Sequence, residues 1–326
     1  MIIDIIGGGS LGLLFAGGLA ASGQRVRLWC RGQEQAEAVR AGGITVNSSG
    51  GAEPQRLPAD RIEAAAAEKY AETAQRQPGD WLLLAVKQQA VEPLLPLLAE
   101  ASGGGPLRIV CLQNGSGHLE RLHEALPEAS LYAAITTEGA KRSDTAEVVR
   151  SGRGVTTIGR WRSTEEKDRF AAAASAGADN DPARSLAEVL EAAGFSVILS
   201  NEVDTIIYRK LLINAVINPL TAIWRIPNGE LLADARRVSL MRELFDEAAA
   251  VYAASGIPVN PADWDGILRV CESTSANVSS MLADILAGRP TEIRWINGRI
   301  VELAQSAGVE VPAHRMICRL VEGMKT

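Results

Sequence analysis

Histidine, cysteine and aromatic residues are scarce in this sequence, and each scarcity removes a class of function. Three histidines and four cysteines stand among 326 residues, and aromatics make up 4%. Cys30, Cys111, Cys271 and Cys318 lie far apart and show no CxxC spacing, so neither a disulfide framework nor a metal site is expected. Cys30 and Cys111 each sit in an apolar run and read as buried free thiols. A basic excess is also missing. The 33 Lys and Arg are outnumbered by 39 Asp and Glu, giving a net charge of -6 and arguing against a nucleic-acid partner. Net charge does not forbid local basic spots, and a phosphate-bearing ligand needs only one or two. No run reaches the roughly 20 apolar residues of a membrane span. No basic stretch precedes an apolar one at the start of the chain, so no secretory signal is expected and cytoplasm is the default compartment.

What is present is an ordinary globular balance, with 47% hydrophobic and 22% charged residues. The length favours two domains over one. Residues 2–6 form a β-branched apolar run, interrupted by Asp4, and the sequence Gly7-Gly8-Gly9-Ser10-Leu11-Gly12 follows. Residues 13–22 are rich in Leu and Ala, with Gly23 as a natural helix stop. Residues 25–29 then alternate around Val26 and Leu28 as a second strand. Strands at 80–86, 107–112, 131–137 and 156–159 and helices at 91–99 and 118–126 continue the pattern. Alternating strands and helices predict a doubly wound α/β domain over residues 1–200. Residues 59–77 read as a surface helix, and 162–184 as including a surface loop or insertion. Beyond residue 200 strand-like alternation nearly vanishes. Helical patterns at 203–224, 231–255, 263–277 and 291–307 predict a largely helical second domain over 201–326.

A glycine-rich turn of this kind carries weight only between a strand and a helix, which is where it lies. Gly7 permits a tight turn, Gly9 a close approach of backbone to a pyrophosphate, and Gly12 close packing of helix on strand. The helix N-terminus presents N–H groups and a positive dipole end to phosphates. A site for NAD usually places Asp or Glu at the end of the second strand; this chain has Arg31 there, 19 residues after Gly12. A guanidinium suits a 2′-phosphate, so NADPH is the expected cofactor. Ligands in open α/β sheets bind beyond the carboxyl ends of strands. Lys87 ends one buried run and could neutralise a phosphate or a carboxylate, or be a solvated strand-end lysine. Asn114, in Gln113-Asn114-Gly115-Ser116-Gly117, could bond ribose or substrate, or simply make a turn.

In the second domain Lys210, Asn214 and Asn218 recur at i, i+4 and i+8, on one face of an otherwise apolar helix. Burying such a stripe is costly without partners, which a carbonyl substrate with a carboxylate would supply. The same spacing also suits a solvated polar stripe. Reduction of a ketone needs hydride from a nicotinamide and a proton for the developing alkoxide, and a lysine ammonium can supply the proton. His118, His123 and His314 lie in poor contexts for that role and read as surface or structural.

Several segments carry a resemblance. Lys210 through Asn214 to Asn218-Pro219-Leu220-Thr221-Ala222, followed by Pro227-Asn228-Gly229-Glu230-Leu231, is similar to the signature of the ketopantoate reductase (2-dehydropantoate 2-reductase) family. Ser279-Ser280-Met281-Leu282-Ala283-Asp284, Arg289-Pro290-Thr291-Glu292-Ile293 and Ile296-Asn297-Gly298 match too. The glycine turn, Lys87 and the 113–117 segment match in order, so the resemblance spans nearly the whole chain. It implies an N-terminal Rossmann domain and a C-terminal all-α domain like that of 6-phosphogluconate dehydrogenase, with the site in the cleft between them. It further implies Lys210 as general acid, supported by Glu292, which contacts the substrate hydroxyl. Gly7, Gly8, Gly9, Ser10, Leu11, Gly12, Arg31, Lys87, Asn114 and Glu292 would face the cofactor. Asn114, Lys210, Asn214, Asn218, Asn228, Asn277 and Ser280 would face the substrate, with Ser280 at the carboxylate. From the residues alone, Glu292 reads as a helix-terminal charge and Ser280 as a helix-surface hydroxyl. The stretches at 59–77 and 162–184 look longer than the family's usual connections.

The implied activity is NADPH-dependent reduction of ketopantoate to (R)-pantoate, on the way to pantothenate and coenzyme A. A related reductase of another 2-keto acid, or a non-catalytic NADP(H) sensor, are the alternatives. The partner is a small 2-keto acid, with no nucleic acid and no membrane, and the chain is expected as a monomer or homodimer.

Overall fold

The computed structural model describes residues 1–49, 53–163, 166 and 181–324. The chain packs as two compact units. One comprises residues 1–113 and 118–203, the other residues 114–117 and 204–326.

In the first unit the strands are β1 (Ile2–Ile6), β2 (Arg25–Cys30), β3 (Ile44–Ser48), β4 (Gln55–Leu57), β5 (Ile62–Ala66), β6 (Trp81–Leu84), β7 (Arg108–Cys111), β8 (Ser130–Thr136), β9 (Gly139–Asp144), β10 (Glu147–Gly152), β11 (Val155–Arg160) and β12 (Ser196–Leu199). The helices are α1 (Ser10–Ala21), α2 (Gln33–Gly42), α3 (Tyr70–Arg76), α4 (Val91–Ala101), α5 (His118–Ala125) and α6 (Ala183–Ala192). The main sheet runs β12-β11-β8-β7-β6-β1-β2-β5 among the described residues, parallel throughout except where β11 meets β8. This is the expected doubly wound sheet. Its order reverses between β1 and β6, the place where ligands bind in such folds.

Two features depart from the sequence reading. Residues 59–77 are not one surface helix: short 3-10 turns flank β5, and α3 follows. Ile62 and Ala64 are buried on alternate positions while Glu63 is exposed, so pairing with β2 converts an alanine-rich stretch into a strand. A second sheet, β4-β3-β10-β9, was not foreseen. Helix α1 contacts both this small sheet and β2, which explains why it is buried around nearly its whole circumference rather than along one stripe. Most of the 162–184 stretch lies outside the described residues; its end enters α6.

Asp4 does not break β1. It is buried within the strand and accepts from Arg27 Nε and Nη2 at 2.7 and 2.6 Å and from Trp29 Nε1 at 2.7 Å. Arg27 also donates to the Gln77 carbonyl at 2.9 Å. The charge is thus enclosed by donors on the adjacent strand, the condition under which a buried carboxylate is tolerated.

The second unit is helical: α7 (Val203–Trp224), α8 (Ala235–Ala254), α9 (Ala262–Ser273), α10 (Ser280–Leu286), α11 (Ile293–Ala307) and α12 (Pro312–Glu322). Helix α7 is long and apolar enough, by length and composition, to cross a membrane, which corrects the expectation that no such run exists. Its burial shows a different use. Leu211, Leu212, Ala215, Val216, Ile217 and Leu220 form the middle of the core with Leu244, Ala248, Val251, Ile296 and Ile300. Asn297 Nδ2 donates to the Ala215 carbonyl at 2.8 Å and lies 3.1 Å from His314 Nδ1, while His314 Nε2 meets the Leu244 carbonyl at 2.9 Å. Burial pulls the His314 imidazole down to about 4, so this pin between α7, α8, α11 and α12 is neutral at physiological pH.

Removing one partner of an enclosed ion pair leaves the other charge stranded. Arg27→Met is expected to destabilise the protein by about 3–5 kcal/mol in urea unfolding. Arg25→Met, which breaks the exposed pair with Glu63, is expected to shift it by less than about 1 kcal/mol. Equal effects of the two substitutions would show that Asp4 does not depend on Arg27.

Candidate active site

The first unit carries the glycine turn at the carboxyl end of β1. Gly7 has φ +114°, and a Cβ there would lie 2.9 Å from the Ala85–Val86 backbone at the end of β6. A Cβ on Gly12 would stand 1.8 Å from the Gly7 carbonyl oxygen. The first intrahelical backbone bond runs from Leu13 N–H to the Gly9 carbonyl, so the amides of Ser10, Leu11 and Gly12 precede the ladder. Gly9, the residue capping α1, offers no side chain to those amides. This cradle fits a dinucleotide pyrophosphate, which needs close backbone approach and unspent N–H donors at a helix start. Arg31 is exposed immediately beyond β2, and Lys87 is half-buried just beyond β6. Gln113 Nε2 donates to the Leu84 and Val86 carbonyls at 2.9 and 3.0 Å and ties the chain beyond β7 to the end of β6.

His118 is buried, and Gln88 Nε2 meets its Nδ1 at 2.7 Å. His118 thus lies inside the first unit, which corrects the surface alternative of the sequence reading.

The second unit gathers most of the remaining candidates. Lys210, Asn214 and Asn218 lie along α7; Lys210 and Asn214 are half-buried and Asn218 is buried. Desolvation lowers the Lys210 ammonium to about 8, although the negative charge of Glu292 opposes the shift. The residue as a whole keeps some exposure, but its charged end is surrounded by protein. Glu292 precedes α11, is buried, and makes no capping bond to that helix. Its place at the start of α11 agrees with the helix-end charge that local sequence suggests, and burial adds the influence on Lys210. Asn114 Nδ2 lies 3.5 Å from Glu292 Oε2. Gly115, at φ +84°, brings this segment so close to α11 that a Cβ would lie 2.4 Å from the Trp295 carbonyl oxygen. Arg299 Nε donates to Ser116 Oγ at 3.3 Å. Asn114 and Glu292, 178 residues apart in sequence, are thus brought together by packing.

Asn228 is buried, and its Nδ2 donates to Thr274 Oγ1 at 2.9 Å. Its backbone N–H donates to the Asn277 carbonyl at 3.0 Å, so these two candidates share one loop contact. Asn277 and Ser280 are exposed. The neighbouring Ser279 is the structural serine: its Oγ accepts from Leu282 N–H at 3.1 Å and from Thr221 Oγ1 at 2.7 Å. Sequence reasoning gave no role to Thr274, which bonds the candidate Asn228, or to Arg299 and Thr221, which bond Ser116 and Ser279 beside candidates. Their signal is only a hydroxyl or guanidinium whose partner is distant in sequence.

Comparison with known proteins places this geometry. A family model described as "Ketopantoate reductase PanE/ApbA" matches residues 3–163, and "Ketopantoate reductase PanE/ApbA C terminal" matches residues 202–325. A 2-dehydropantoate 2-reductase from Archaeoglobus fulgidus is 31% identical over 325 residues, covering 99% of this chain and 98% of that protein. The crystal structure of the probable 2-dehydropantoate 2-reductase of Bacillus subtilis matches with a TM-score of 0.81 at 28% identity, covering 100% of both chains. The ternary structure of D-mandelate dehydrogenase with NADH and anilino(oxo)acetate matches with a TM-score of 0.82, covering 99% of this chain and 98% of that one. At 23% identity, that likeness shows the fold alone.

Glu292→Gln removes the negative charge that holds Lys210 up, so the lysine should titrate below about 8 in that variant. NMR of the 13C-dimethylated protein, with the Lys210 signal assigned by its loss in Lys210→Arg, reads this directly. An unchanged titration would show that the Glu292 charge does not reach the amine.

Proposed function

The chain belongs to the ketopantoate reductase family of nicotinamide-dependent oxidoreductases, and from that premise we propose that it reduces 2-dehydropantoate to (R)-pantoate with NADPH. The observation that carries this reading is the Lys210 ammonium, drawn down to about 8 beside Glu292 on a helix that also bears Asn214 and Asn218. The cofactor, when bound, supplies hydride to the ketone carbon. The protein must then bind the keto acid, orient it and protonate its oxygen.

Lys210 is the proton donor. A lysine near 8 is still mainly protonated at neutral pH, yet gives up its proton far more readily than one at 10.5. Its ammonium also stabilises negative charge growing on the carbonyl oxygen. Glu292 keeps the amine from falling further and offers a carboxylate to the substrate hydroxyl. Asn214, Asn218 and Asn228 supply amides that orient the keto acid, Ser280 receives its carboxylate and Asn277 adds a further polar contact. Asn114 serves beside Glu292 at the cofactor and substrate. The glycine turn, Lys87 and Arg31 hold the dinucleotide, with Arg31 on the 2′-phosphate favouring NADPH over NADH. Such chemistry suits a cytoplasmic biosynthetic enzyme.

A second reading is reduction of a different 2-keto acid. A sensor without catalysis would have no use for an amine held near 8 beside a carboxylate.

The test is NADPH oxidation with ketopantoate. Wild type should turn over with NADPH and only weakly with NADH, and Lys210→Ala should lose about 10²–10⁴-fold in kcat. The acid must be protonated, so kcat for reduction should be flat below pH about 8 and fall above it. Oxidation of pantoate, which needs the neutral amine as base, should rise over the same range. Tight NADPH binding without turnover would overturn the ketopantoate assignment and leave the other 2-keto acids.

A further inference from the structure

The hairpin formed by β9 and β10 reaches the glycine turn and docks on it. The backbone N–H of Arg142 donates to Ser10 Oγ at 3.0 Å, so β9 is fixed to the first residue of α1. The Arg142 guanidinium turns back to the same turn, with Nη1 3.5 Å from the Gly8 carbonyl oxygen. Gln35 Nε2 bridges the Gly8 carbonyl, at 2.7 Å, and the Thr145 carbonyl in the hairpin, at 2.8 Å. Gly8 is held by this clamp: a Cβ there would lie 2.5–2.7 Å from the Gln35 amide atoms.

Arg142 is exposed at the edge of the glycine turn, so its charge is available to an anion bound there. Arg27 and Arg150, the buried and part-buried arginines of this unit, are paired with Asp4 and Glu138. Among the described residues no carboxylate pairs with Arg142. It stands instead at the start of α1, where the helix dipole is already positive and a second positive charge is unfavourable. One of its five N–H donors is directed at Gly8, leaving the others for a ligand at the turn.

We infer that Arg142 is a phosphate-binding residue of the nicotinamide dinucleotide site and contacts the pyrophosphate bridge. This rests on the cofactor reading above and extends it to a residue on a sheet outside the doubly wound core. The pyrophosphate is favoured over the 2′-phosphate because both Arg142 contacts are to the turn itself, through Gly8 and Ser10. Arg31 lies on the other segment, beyond β2. Arg142 therefore strengthens binding of phosphorylated and unphosphorylated cofactors alike, while Arg31 separates them.

Titration of tryptophan fluorescence with NADPH and, separately, with NADH measures both dissociation constants without turnover. Arg142→Gln should weaken both by about the same factor, near tenfold, with partial recovery in Arg142→Lys. Arg31→Ala should weaken NADPH alone. Unchanged constants for both nucleotides in Arg142→Gln, with a native circular dichroism spectrum, would overturn the assignment. Weakening of NADPH alone would overturn the pyrophosphate contact. A wild-type protein that binds neither nucleotide would overturn the cofactor reading, and Arg142 with it.

Discussion

The first unit is organised around the contact between Gly12 and the Gly7 carbonyl. Where any other residue at Gly12 would place a Cβ at 1.8 Å, glycine lets α1 begin directly above the end of β1. That single approach sets the line of the helix across the sheet and leaves its first amides open at the switch point between β1 and β6. Gly17, further along, lets β3 close on the helix from the other side: a Cβ there would meet Val46 Cγ2 at 2.7 Å. The helix is consequently a buried strut between two sheets, and the hairpin that reaches the glycine turn hangs from the second of them.

Buried polar groups in both units follow one rule with two outcomes. Asp4 and Asn297 are enclosed, and each meets donors or acceptors that hold neighbouring elements together. Lys210 is enclosed with opposing influences, burial pulling its proton off and Glu292 keeping it on. The first arrangement gives rigidity. The second gives a group poised to exchange a proton, the property an acid in ketone reduction requires.

Much of this was legible from local pattern. The β1–turn–α1–β2 unit was visible because glycine, β-branched runs and alternation act over a few residues. The span of α7 was read to the residue because a long apolar pattern has few other solutions. The candidate residues at 210, 214 and 218 followed from helical spacing alone. Glu292, Asn277 and Ser280 did not: only resemblance singled them out, since an acid before a helix or a serine at its start is locally ordinary. The strand at β5 was misread because alanine carries a weak preference and its partner β2 lies about 30 residues away in the chain.

The sequence by itself determined the first strand–turn–helix–strand unit, the turn built for phosphates and the placing of a lysine and two asparagines on one helix face. These are short-range matters of sterics and periodicity. Only the tertiary structure decided that β3, β4, β9 and β10 form a second sheet, that Asn114 meets Glu292, that Arg142 reaches Gly8, and that Lys210 holds its proton near 8. Pairing between distant strands and the desolvation of a charge depend on what the rest of the chain brings alongside, which no local window contains.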